Sequence, residues 1–141
     1  MLKDLGHPEH SFKSVHIAGT KGKGSTAAML TQMLANNGLK VGIYTSPHIV
    51  DLRERIAIND DLIPKADLTR LIAKVADTTK KYEPSERPTF FEILTAVAFL
   101  HFAEKNVDIA VLEVGLGGRF DATNVVKPEV CGIVNISLDH M

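Results

Sequence analysis

Residues 16–26, HIAGTKGKGST, set a short apolar run directly against glycines, lysines and hydroxyls. Glycines at 19, 22 and 24 let a backbone turn tightly and come close to an anion without a β-carbon in the way. The amides of these glycines, with those of Lys23 and Ser25, then point inward at the start of a helix. Unpaired N–H groups and the helix dipole favour a phosphate there. The stretch departs from the strict phosphate-loop pattern G-x-x-x-x-G-K-[ST], because Gly24 follows Lys23 and the next hydroxyl is Ser25. The candidate phosphate-binding set is Gly19, Thr20, Gly22, Lys23, Gly24, Ser25 and Thr26, with Lys23 as the catalytic cation that neutralises β/γ-phosphate oxygens. The competing reading is a glycine-rich strand-to-helix turn with solvated lysines, Lys21 above all.

A hydroxyl standing one residue late leaves a magnesium shell short of a ligand. Mg²⁺ takes hard oxygens in octahedral geometry, usually one or two carboxylates with water and phosphate. A carboxylate is therefore expected on the same edge, and Glu113 closes the apolar run IAVLE. An acid ending a buried strand is costly unless it is paired or metal-bound. Its alternative is a salt bridge to Arg119 or Lys23.

These side chains need a frame. The chain has 141 residues, 45% apolar and 23% charged, enough for one domain with a real core. Sixteen basic and 17 acidic residues leave a net charge of −1, with no general attraction for nucleic acid or anionic lipid. The single cysteine, Cys131, excludes an internal disulfide and suits a reducing compartment. The N-terminal MLKDLGHPEHSFKS has no apolar core like that of a secretory signal. FFEILTAVAFLHFA is too short for a membrane span, carries Glu92 and His101, and reads as a buried helix.

Ser14–Ala18 reads as a strand feeding the glycine loop, and Lys23–Asn37 as a helix with Ala28, Leu30, Met33 and Leu34 near helical spacing before Gly38. Val41–Tyr44 is a second strand, TSPHIVDLRER an irregular loop, and RIAINDDLIP two short strands about a turn. Lys65–Tyr82 reads as a surface helix with Leu68, Leu71, Ile72 and Val75 in one stripe, and Thr89–Lys105 as the apolar helix. Ile109–Val114 and Val130–Ile136 are the last strands. Alternation at these lengths predicts an α/β fold, a mainly parallel sheet with helices on both faces. Ligands of such sheets gather beyond the carboxyl ends of the strands. The loops GTKGKGST, TSPH, GLGGRFDATN and SLDHM should then converge on one edge.

With these pieces in place, the sequence resembles the folylpolyglutamate synthase/dihydrofolate synthase family of Mur-type ligases. HIAGTKGKGST, GIYTSPHIVDLRERI, FFEILTAVAFLHF, VLEVGLGGRFDATNVV and NISLDHM carry the likeness and cover most of the chain. Lys21 departs from it, since the more familiar loop has asparagine there. The resemblance implies a P-loop domain of Mur ligase central-domain type. It implies ATP on the glycine loop, and Mg²⁺ on Ser46, Glu113 and His140. It also implies a pteroate near Phe91, Asp121 and Ala122. Phe91 can stack on a flat heteroaromatic ring, and Asp121 can accept its N–H groups. The duller readings are a turn cap for Ser46, a satisfied polar role for His140, core packing for Phe91 and loop hydrogen bonding for Asp121.

The implied activity is that of an ATP-dependent acid–amino-acid ligase. It adds L-glutamate to dihydropteroate or folates through an acyl phosphate, with small molecules as the only partners. The whole enzyme is expected to be monomeric and cytoplasmic, or mitochondrial in a eukaryote. Residues 1–141 are expected to be its truncated N-terminal ATP-binding domain, without a C-terminal glutamate-binding domain and inactive alone. The alternatives are another Mur-type ligase or a non-catalytic P-loop nucleotide-binding module. His7, His10, His48 and His101 read as surface or packing residues.

Overall fold

A computed structural model of the chain describes residues 1–137. Its centre is a six-stranded sheet of β1 (Lys13–Ala18), β2 (Val41–Tyr44), β3 (Ile56–Ile58), β4 (Asp61–Leu62), β5 (Ile109–Glu113) and β6 (Val130–Ile133). The order across it is β4-β3-β2-β5-β1-β6. Strands β2, β5, β1 and β6 run parallel, while β3 and β4 add an antiparallel hairpin at one edge. The register pairs Ile17 with Glu113, Tyr44 with Leu112 and Ala18 with Ile133. All four parallel strands therefore end at one edge.

Three helices cover the sheet: α1 (Lys23–Asn36) on one face, α3 (Phe90–Glu104) on the other, and α2 (Lys65–Thr79) packed outside α3. Helix α3 is apolar all round, as a helix sandwiched between a sheet and a second helix must be. Phe99 and Phe102 are fully buried, and truncating either to alanine should cost roughly 3–5 kcal/mol. Phe102 lies so close to β2 that a β-carbon at Gly42 would stand 2.8 Å from its ring. Leu68, Leu71 and Val75 of α2 are buried, and Ile72 packs at their margin, which is the stripe read from the sequence.

Helix α1 departs from its expected face. Ala27 and Thr31 are buried and Leu30 and Leu34 partly so, but Ala28 and Met33 face outward. The glycine loop delivers the helix at a rotation that its weak apolar periodicity does not set. The ends of several elements also shift inward. Helix α2 stops at Thr79 rather than Tyr82, and β6 stops at Ile133 rather than Ile136 because it pairs only with β1 among the described residues. Pairing, not β-propensity, ends that strand.

Candidate functional site

The loop after β1 turns through Gly19 at φ 135°, where an added β-carbon would meet the Asn135 carbonyl at 2.8 Å. Gly22, at φ 83°, forms the N-cap of α1, and no side chain caps that terminus. The amides at the helix start are thus left open to an anion. Thr20 ties the loop to the segment after β6: its amide donates to the Asn135 carbonyl at 2.8 Å, and the Ser137 amide donates to its hydroxyl at 3.0 Å. Lys21 donates its amide to the Asn135 side chain at 2.9 Å. Lys23 donates its ammonium to the Thr20 carbonyl at 3.3 Å, and Thr26 donates its hydroxyl to the Gly22 carbonyl at 2.9 Å. Ser25 is exposed.

Glu113 ends β5 beside this helix start and is 5% exposed. Its Oε2 accepts the Ser46 amide at 3.0 Å, and a β-carbon on Gly24 would stand 3.4 Å from the same oxygen. Burial raises the carboxyl's pKa above its ordinary value, with the Ser46 amide, Lys23 and the Gly24 amide opposing. Glu113 makes no salt bridge to Lys23 or Arg119 among the described residues; its anchor is backbone N–H. Ser46 follows β2 on the next strand of the sheet. Lys23, Ser46 and Glu113 therefore share one edge, whereas His140 lies outside the described residues.

Two cavities adjoin here. One, about 280 Å³, is lined by Gly19, Thr20, Lys23 and the segment after β6; the other, about 370 Å³, by Ser46, Pro47, Arg55, Phe91 and Asp121. Gly115 and Leu116 line both and form the wall between them. Phe91 is set by the capping box of α3, in which Thr89 Oγ1 accepts the Glu92 amide and the Glu92 carboxylate accepts the Thr89 amide. Its ring is half-buried, 5.8 Å from Tyr44 and close against Gly115. Ala122 lines a neighbouring cavity with Met1, Leu2 and Thr95, and Asp121 borders both.

Asp121 is heavily used inside the chain. Oδ2 accepts the Gly115 and Leu116 amides, each at 2.9 Å, while Oδ1 accepts the Thr123 amide at 2.9 Å and the Thr123 hydroxyl at 2.5 Å. Thr123 Oγ1 also lies 2.7 Å from Nε2 of His16, a buried side chain of β1 whose pKa burial lowers. This chain of hydrogen bonds pins the 115–124 loop to the sheet. Sequence reading missed His16 and Arg55, whereas the loop hydrogen bonding expected of Asp121 is the contact that Thr123 makes. Arg55 donates to His48 at 2.9 Å and stands 5.7 Å from the Phe90 ring centroid. Its place is set by the Asp51–Glu54 capping box, a D-x-x-E signal legible in DLRE.

A sequence profile of the Mur ligase middle domain matches residues 17–141. The chain belongs to that family. It is 45% identical over 144 residues to the dihydrofolate synthase/folylpolyglutamate synthase of Bacillus subtilis, covering 100% of this chain and 34% of that protein. The folylpolyglutamate synthase structure from Thermotoga maritima superposes with a TM-score of 0.94 at 48% identity, over 97% of this chain and 33% of that one. An FPGS–AMPPCP–folate complex matches with a TM-score of 0.93 at 40% identity, over 99% and 35% of the two chains. The chain thus spans about a third of the length of these relatives. No helix among its described residues is long and apolar enough to cross a membrane.

Proposed function

We propose that this Mur ligase middle domain is the ATP-binding part of a folylpolyglutamate synthase/dihydrofolate synthase. The observation that carries the reading is the meeting of the uncapped α1 start, Lys23, Ser46 and buried Glu113 at one strand edge, beside a Phe91-lined cavity. In the proposed reaction a substrate carboxylate attacks the γ-phosphorus of ATP, the bond to the β-bridging oxygen breaks, and ADP leaves. The amino group of L-glutamate then attacks the acyl phosphate, loses a proton and expels phosphate.

The α1 amides and Lys23 hold and neutralise the phosphates, and that positioning is most of what a phosphoryl transfer asks of a protein. A carboxylate and a hydroxyl are hard oxygen donors, so Glu113 and Ser46 fit Mg²⁺, with His140 as the third ligand of this proposal. Bound Mg²⁺ would supply further neutralisation of phosphate charge. The similar FPGS–AMPPCP–folate complex supports binding of a nucleotide and a folate. Phe91 offers a stacking face for the pteridine, while Ala122 lines the neighbouring cavity across Asp121. Asp121, with its oxygens occupied by the chain, chiefly shapes the wall.

The test is calorimetric titration of the chain with Mg²⁺–AMPPCP and then with dihydropteroate. Saturable nucleotide binding, followed by dihydropteroate binding that Phe91→Ala weakens, is expected. No binding of nucleotide by the native chain would overturn the reading.

A further inference from the structure

Ahead of β1, the turn Pro8–His10 packs on α3 and carries a second group of potential ligands. Glu9 is 7% exposed, and its charge partners among the described residues are two imidazoles. Nδ1 of His7 lies 2.8 Å from Glu9 Oε1, and Nε2 of His10 lies 3.7 Å from the same oxygen. The other carboxylate oxygen, Oε2, is buried with no hydrogen-bond partner. The two rings stack 5.0 Å apart with 4° between their planes, and each has a nitrogen within 3.7 Å of Oε1.

A buried carboxylate with one oxygen left without a partner is costly, and such groups normally pair with a cation or a metal. One potential ligand atom from each of His7, Glu9 and His10 lies within 4.8 Å of the others. A tetrahedral metal at roughly 2.0–2.2 Å from each holds such atoms about 3.3–3.6 Å apart, so the His7 ring opens from its 2.8 Å contact with Oε1 and the His10 ring closes slightly from 3.7 Å. The rings can supply that movement, since the side chains of His7 and His10 are 47% and 61% exposed while that of Glu9 is 5% exposed. Glu9 is the fixed point. Phe12, just beyond the turn, seats on α3 with its ring 5.8 Å from those of both Phe99 and Phe102.

We propose that His7, Glu9 and His10 form a binding site for a divalent transition-metal ion, separate from the nucleotide site. Two imidazoles and one carboxylate suit Zn²⁺, Co²⁺ or Ni²⁺ better than Mg²⁺ or Ca²⁺. Three ligands from one turn leave a coordination position for water or an external donor. The ion would lock the N-terminal turn in the form that packs on α3.

The experiment is calorimetric titration of the 141-residue chain with Zn²⁺ under excess Mg²⁺, repeated with Co²⁺ while following its visible absorption. One equivalent of Zn²⁺ should bind, and His7→Ala and His10→Ala should each weaken it by about tenfold or more. Both variants alter exposed side chains, and their Mg²⁺–AMPPCP binding should match the native chain. Equal Zn²⁺ affinity and stoichiometry in the His7→Ala/His10→Ala double variant would overturn the site, as would no Zn²⁺ binding by the native chain.

Discussion

The Glu113 carboxylate accepts the Ser46 amide at 3.0 Å, joining the end of β5 to the turn after β2 across adjacent strands. Two residues far apart in the chain become one corner of a pocket. That corner is electrostatically expensive, because burial raises the acid's pKa above its ordinary 4.5. The folded chain keeps this proton to higher pH than the unfolded chain. Stability therefore falls as pH rises through the window above 4.5, and the cost is complete past the raised value. Glu113→Gln should remove that cost. The melting-temperature difference between variant and native protein should grow in the variant's favour from pH 4.5 to neutrality, while Mg²⁺-dependent nucleotide affinity falls. A pH-independent difference, or an unchanged magnesium titration, would refute the assignment.

Lys23 contacts its own loop through one hydrogen bond to the Thr20 carbonyl, so the fold should tolerate its loss. Charge-assisted hydrogen bonds of this kind contribute roughly 1.5–3 kcal/mol, or about 10–100-fold in affinity. Lys23→Ala should weaken Mg²⁺–AMPPCP by that factor with its circular dichroism unchanged. In a full-length enzyme, turnover should fall by orders of magnitude. Near-native nucleotide binding would rule out this loop.

Thr123 is fully buried and links Asp121 to His16. Thr123→Val keeps the shape and leaves both partners short of a bond, at a cost of roughly 1–3 kcal/mol. Chemical denaturation should read that loss, and amide exchange should quicken at Gly115 and Leu116, whose N–H groups Asp121 holds. Unaltered exchange would mean that the loop is anchored elsewhere.

A β-carbon at Gly115 would stand 2.6 Å from Cζ of Phe91 and 3.1 Å from Asp121 Oδ2. Gly115→Ala should displace the ring, cost roughly 1–3 kcal/mol by overpacking, and reduce dihydropteroate binding more than nucleotide binding. A smaller ring neighbour should relieve the crowding, so Gly115→Ala/Phe91→Leu should recover stability but not dihydropteroate affinity. If the double variant is less stable than Gly115→Ala alone, the two residues do not crowd each other in solution.

Much of the frame was legible in the residue order. The glycine loop between an apolar run and a helix, the period of α2, the apolar α3 and Gly38 just past α1 are local signals. Local backbone preference and side-chain spacing suffice to read them. Glu113 also stood out locally, as an acid where an apolar strand ends. The rotation of α1, the early stop of β6 and the approach of Arg55 to the Phe90 ring depended on partners distant in sequence, so no window of residues encoded them.

The division at the site has the same physical origin. Residue type and spacing alone determined that a loop at 19–26 could cradle an anion and that an acid should stand near it. Only the tertiary structure decided that Ser46 would deliver its amide to that acid, that Asp121 would spend its oxygens on the 115–124 loop, and that Glu9 would be buried between two histidines. Hydrogen bonding and desolvation act between groups brought together by strand register, and that register is a property of the whole sheet.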